Sequence, residues 1–192
     1  MCDINLFRNV IAFTNRNLSK RPYLEQIEKI CSCHPKALVL REKDLPEKEY
    51  CMLAESVIKI CKQYKVNCII HNYIDTALKM NCNRIHLPLH MLEKYHMYLK
   101  EFETIGTSVH SMQEAQKAEK MGVSYIVAGH IYTTDCKKGI PPRGLLFLEQ
   151  ICKNTALPVY GIGGIQLNKI QIEQVMRCGA KGVCIMSEIM KM

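Results

Sequence analysis

Two glycine-bearing segments and one histidine-bearing loop hold most of the chemistry legible in this chain. Tyr160-Gly-Ile-Gly-Gly164 closes one apolar run, and Ile185-Met-Ser187 closes the next. Glycine lets backbone N–H groups approach anionic oxygens closely, and a following helix adds its positive end. Gly163, Gly164, Met186 and Ser187 are therefore candidates for holding a phosphate. A tight strand-to-helix turn needs glycine too, and competes with that reading. The third segment, Ala128–Gly144, is a long basic loop that opens on Gly129-His130 and contains Pro141 and Pro142. A histidine at a strand end exchanges protons near neutral pH, which makes His130 the candidate acid–base group. A histidine simply held by hydrogen bonds is the alternative. Lys137, Lys138 and Arg143 can draw in or cover an anion, or form a solvated loop face; spacing alone does not separate these readings.

Four smaller constellations accompany them. Arg41 and Lys43 alternate with Glu42, so period-2 geometry turns both cations one way and Glu42 outward. A strand running into a polar turn at Asp44 and Pro46 is the competing account. His71-Asn72 and His86 end apolar runs, and Asn72 is taken as a ligand-contacting candidate. Ser108 alternates with His110, and its hydroxyl can bond an anionic ligand. Ser111 opens a capping box with Glu114, the signature of a helix start.

These residues need elements to carry them. Apolar, β-branched runs recur as VIAFT (10–14), ALVLRE (37–42), NCIIHN (67–72), RIHLP (84–88), TIGTSVH (104–110), YIVAGH (125–130), LPVYGIGG (157–164) and GVCIMS (182–187). Helical periodicity lies between them, over 46–64, 111–121 and 168–178, and Gly122 and Gly179 fall where left-handed C-caps belong. Alternation of eight strands with helices predicts one α/β domain over 1–192, a compact (β/α)8 TIM barrel. The 192 residues leave about 24 per βα unit, and five residues after Ser187 leave no room for a last helix, which is expected to be truncated or missing. Every candidate above then falls at the carboxyl ends of strands, where barrel enzymes build their sites. The uncovered wall calls for a second subunit, making a homo-oligomer, or for the N-terminal segment.

Composition removes several classes. With 48% hydrophobic and 23% charged positions the chain is globular rather than disordered. No apolar run approaches the ~18–20 residues of a membrane span, and the N-terminus lacks a signal layout, so a cytoplasmic protein is expected. The net charge of +8 suits an anionic ligand, whereas the absence of Trp and of aromatics interleaved with basic residues argues against nucleic acid. Eleven cysteines without paired metal-ligand spacings are expected to be mainly reduced thiols, with no metal site.

Seven segments in register resemble the thiamin-phosphate synthase and thiazole tautomerase (TenI-like) superfamily: LREKD (40–44), DTAL (75–78), RIHLP (84–88), IGTSVHSMQEAQKAE (105–119), GHIYTTDCKKGIPPRG (129–144), PVYGIGGI (158–165) and GAKGVCIMSEI (179–189). The resemblance implies the (β/α)8 fold. Within it, synthases carry Gln before the Arg-x-Lys, Asn-Asp at strand three, an acidic residue after strand four and Gly-Pro at strand six. Here those places hold Val39, His71-Asn72, His90-Met91 and Gly129-His130. The magnesium site implied for synthases is thus dismantled, and the chain is similar to the tautomerase branch, whose histidine at this place is the proposed proton carrier. The implied activity is a cofactor-independent isomerase of thiamin biosynthesis. It aromatises a thiazole-carboxylate phosphate tautomer to 2-(2-carboxy-4-methylthiazol-5-yl)ethyl phosphate. His130 would carry the proton, the four phosphate candidates would hold the phosphate, and Arg41, Lys43 and Ser108 would meet the carboxylate and ring. A synthase with an eroded metal site and a non-catalytic phosphate-binding regulator are the alternatives.

Overall fold

The computed structural model describes residues 4–192. All eight expected strands form: β1 (Val10–Phe13), β2 (Ala37–Leu40), β3 (Asn67–His71), β4 (Arg84–Pro88), β5 (Thr104–Val109), β6 (Tyr125–Gly129), β7 (Val159–Ile162) and β8 (Gly182–Ile185). They close a barrel in chain order, with parallel registers such as Val39↔Ile69 and Ile162↔Cys184. Every residue of β1, β2, β6 and β8 is buried. A strand in a helix-covered parallel sheet has no solvent face, which is why these runs are continuously apolar rather than alternating.

The helices are α1 (Ile4–Phe7), α2 (Tyr23–Cys31), α3 (Glu47–Gln63), α4 (Ile74–Lys79), α5 (Leu89–Lys94), α6 (Met112–Lys120), α7 (Gly144–Lys153) and α8 (Lys169–Arg177). Ser111 and Asn168 cap α6 and α8, their side chains accepting from the N–H groups of Glu114 and Gln171. Gly122 and Gly179 follow these helices at φ +72° and +95°, the left-handed caps expected of them. After β8 the chain turns through Met186–Lys191 instead of entering a helix, with Ile189 and Met190 fully buried and the Gln26 amide donating to the Ile189 carbonyl at 2.7 Å. Among the described residues no helix is long and apolar enough to cross a membrane.

Contacts divide the chain into two compact units. The first comprises Met1–His86, Glu101–Glu103 and Met186–Met192; the second comprises Leu87–Lys100 and Thr104–Ile185. In the first, Tyr50 of α3 is wholly buried and ties two strand ends together. Its hydroxyl donates to the Leu40 carbonyl at 2.5 Å and accepts from the His71 N–H at 3.2 Å. Tyr50→Phe should cost about 2 kcal/mol in urea unfolding, because it removes two buried hydrogen bonds to backbone groups. A loss below about 0.5 kcal/mol would mean that neither bond contributes.

Among the described residues nine cysteines are free thiols, in line with the mainly reduced set expected, and Cys33 is disulfide-bonded. Cys31, two residues away, instead meets Cys61 thiol to thiol at 3.8 Å.

Candidate functional site

In the second unit, His130 leaves the carboxyl end of β6 and is only 4% exposed. The Gly129–His130 peptide is cis. Three backbone bonds fix the start of the loop: Ile131 N–H to Ile162 O (2.9 Å), Tyr132 N–H to Gly163 O (2.9 Å) and Arg143 N–H to His130 O (2.9 Å). The last folds the loop back so that its end meets its beginning. The imidazole Nε2 lies 3.3 Å from the Ile140 carbonyl. A carbonyl only accepts, so Nε2 carries a hydrogen, and in the neutral form of the ring Nδ1 holds the lone pair. That Nδ1 is buried and has no hydrogen-bond partner. A buried polar atom without a partner is uncommon, and here it leaves the basic nitrogen of the ring unengaged.

Gly163 and Gly164 adopt φ +101° and +66°, so the glycines at the end of β7 are conformationally required. Space requires them as well. A Cβ on Gly163 would sit 2.3 Å from the His130 Cβ, and one on Gly164 would sit 2.3 Å from the Thr133 carbonyl oxygen. The close approach demanded of this loop is thus made first by the protein's own 130–133 segment. Gly163→Ala should therefore displace the histidine and cost about 1–3 kcal/mol through its backbone conformation alone. Thermal unfolding checks the cost, and an unchanged Tm would show that the loop yields freely.

Ser108 is half-buried on β5, opposite Val127 of β6. Lys137 ends a single 3-10 turn over Asp135–Lys137, capped by Thr134, and Lys138 follows it, exposed. His110, beyond the end of β5, brings its Nδ1 to 2.8 Å from the Gly129 carbonyl. The capping box forms with a shift: Glu114 accepts from the N–H of His110 rather than that of Ser111.

In the first unit, Arg41 is half-buried and Lys43 exposed, beyond the end of β2. Arg41 Nη1 comes within 3.8 Å of the Met186 sulfur, so the structure brings these two candidates together; Ser187 follows, half-buried. Glu42 corrects its expected outward placement, since it is 2% exposed. Its carboxylate accepts from Thr14 Oγ1 (2.6 Å), the Tyr23 hydroxyl (2.9 Å) and the Arg16 N–H (2.9 Å). Burial and this carboxylate push the Tyr23 hydroxyl well above its usual pKa, so it stays a donor. Three groups drawn from outside β2 thus convert an apparent surface glutamate into an internal brace.

His71 and His86 sit side by side on β3 and β4, in register and stacked at 5.7 Å between ring centroids. Phe13 meets His86 edge-on at 5.4 Å. Burial first, then the neighbouring Arg41 and Lys43 charges, pull His86 down to about 3. His71 is likewise held well below its usual value, by burial and then by His86, Arg41 and Lys43. Both rings are therefore neutral. Asn72 has φ +70°, and its Oδ1 is buried without a partner.

The donors present do not suit a magnesium ion. Where synthases carry Asn-Asp this chain has an imidazole and an amide. Glu42 is committed as above, and Asp44 is paired with Arg16 at 2.6 Å. Among the described residues no three His, Cys, Asp or Glu side chains are placed to share a metal.

Across 175 residues, 90% of this chain and 92% of the relative, the sequence is 32% identical to a putative thiamine-phosphate synthase 2 of Aquifex aeolicus. It is 31% identical to a thiamine-phosphate synthase of Clostridium novyi, over 98% of this chain and 93% of that one. The solved structure of a thiamine phosphate pyrophosphorylase from Pyrococcus furiosus superposes with a TM-score of 0.79 at 26% identity, covering 97% of this chain and 89% of that one. The profile of the TMP-TENI family, described as thiamine monophosphate synthase, matches residues 10–189. With a match of that extent, the chain belongs to the TMP-TENI family.

Proposed function

We propose that this protein is a thiazole tautomerase. It would convert a thiazole-carboxylate phosphate tautomer into the aromatic 2-(2-carboxy-4-methylthiazol-5-yl)ethyl phosphate. The observation that carries this reading is the His130 imidazole, buried, with its Nδ1 lone pair unengaged and its Nε2–H facing a carbonyl. The reaction removes one proton from ring carbon C2, beside the carboxylate, and adds one to the exocyclic carbon of the side chain. Atoms and charge balance without any redox partner. His130 Nδ1 takes the first proton and returns one, the base and then the acid of a general acid–base pair. Gly163, Gly164, Met186 and Ser187 would receive the phosphate, and Arg41 and Lys43 the carboxylate. Asn72 and Ser108 would contact the ring, and Lys137 and Lys138 would supply positive charge over the bound anion.

A second reading, thiamin-phosphate synthase, is favoured by the names of the relatives at 31–32% identity. It must do without the carboxylates that a magnesium-bound pyrophosphate needs as hard oxygen ligands. One pair of assays separates the two. Proton NMR of the unaromatised thiazole-carboxylate phosphate with the protein in D₂O should show accelerated aromatisation, with deuterium entering the side chain. Magnesium-dependent formation of thiamin phosphate from the pyrimidine pyrophosphate, with no effect on the tautomer, would overturn the tautomerase assignment in favour of the synthase.

A further inference from the structure

The β5–β6 ladder runs from Gly106↔Tyr125 to Val109↔Ala128 and then stops. At the next position the backbone N–H of His110 is taken by Glu114, so it is not available to the neighbouring strand. The His110 ring reaches across instead, Nδ1 to Gly129 O at 2.8 Å. Because a carbonyl only accepts, Nδ1 carries the hydrogen. Gly129 O belongs to the same peptide unit as the His130 nitrogen. The ring of one histidine therefore grips the peptide from which the other is launched.

The remaining restraints on His130 lie on its far side. Its carbonyl is held by Arg143, the next N–H by Ile162, and its Nε2 lies 3.3 Å from Ile140 O. Gly129 itself is in register with Ile162 of β7, and the bond from His110 is the side-chain restraint on its carbonyl. A rotation there would swing the imidazole about its Cα and change the direction of the Nδ1 lone pair, with the Gly163 backbone leaving little room to compensate. We propose that His110 is a positioning residue: by donating Nδ1–H to Gly129 O it sets the aim of His130 Nδ1. The inference rests on the reading of His130 as proton carrier, and it assigns His110 no contact with substrate.

Two substitutions isolate the donated hydrogen bond. His110→Phe keeps a ring and removes the donor; His110→Asn keeps an N–H near the place of Nδ1 and removes the ring. In the tautomer assay His110→Phe should lower kcat by about 10²-fold with KM changed less than about threefold, the scale of a roughly 1 Å misplacement. His110→Asn should recover most of that loss. In protein labelled with ¹⁵N-histidine, the ring nitrogen shifts of His130 should move in His110→Phe and return in His110→Asn. Should His110→Phe fail to fold, His110→Ala replaces it. Equal impairment of the donor-less and Asn variants would reduce His110 to ring packing and overturn the proposal, as would unmoved His130 shifts in the donor-less variant. The shift measurement needs no turnover, so a wild-type protein inactive toward the tautomer would refute the tautomerase reading while leaving the positioning role to be decided by the spectra.

Discussion

Replacing His130 by Asn should slow aromatisation of the thiazole-carboxylate phosphate by about 10²–10⁴-fold, the range that a positioned acid–base group supplies. Asn is the informative choice because it fits the space bounded by Gly163 and places its amide near the position of Nδ1. What it lacks is a titratable nitrogen at the place of Nδ1, which is buried and unpartnered in the wild-type chain. Folding should be only modestly affected, by about 1 kcal/mol, the scale of the single Nε2–Ile140 hydrogen bond that the shorter side chain gives up. Affinity for the aromatic phosphate product, read by calorimetry, should also stay within a few-fold. Loss of rate with retained product binding assigns His130 to the chemical step. An unchanged rate would remove it from the reaction, and parallel loss of rate and binding would make it a wall of the pocket.

Why some of this was legible in the sequence, and some was not, follows from range. The eight strands could be read because a parallel strand under helices is buried on both faces, and eight apolar runs announce it. Helices α3, α6 and α8 carry regular periodicity, and α6 and α8 have side-chain caps, so their positions follow from local chemistry. Helix α7 is less visible, since it starts on Gly144 after Pro141-Pro142-Arg143 with no side-chain cap and leaves Leu146 76% exposed. The site divides in the same way. Gly163, Gly164 and His130 announce themselves by residue type at a strand end. Glu42 does not, because its burial is decided by Thr14, Arg16 and Tyr23, 19 to 28 residues away. Period-2 alternation says which way a side chain turns relative to its neighbours, not whether donors wait for it there. His110 was legible only as a neighbour alternating with Ser108, because its ring bonds a carbonyl 19 positions later, on a different strand.

Stability should fall steadily on acidification from pH 6.5 toward pH 4, and the stacked histidines of β3 and β4 are the cause. In the unfolded chain each takes up a proton near pH 6.5. In the native chain burial, then the charges of Arg41 and Lys43, keep His86 neutral down to about 3, and His71 is also held well below its usual value. Below pH 6.5 the unfolded state therefore binds more protons than the native state, so the free energy of unfolding decreases as pH falls and is fully present above that pH. Each histidine contributes a slope of about 1.4 kcal/mol per pH unit across its window. Urea unfolding of the wild-type chain and of the His71→Asn, His86→Gln double variant at several pH values between 7.5 and 4 tests this directly. The substitutions will shift the absolute stability, so the slope is the quantity to compare. It should be flatter in the double variant by about 2–3 kcal/mol per pH unit, the two single-histidine slopes together. Equal slopes would show that the pair protonates without penalty in the folded protein. Arg41→Gln then divides the effect between its causes. Because burial is the larger one, removing that charge should return only the smaller part of the slope, whereas a full return would mean that the cation, not the low-dielectric surroundings, keeps the imidazoles neutral.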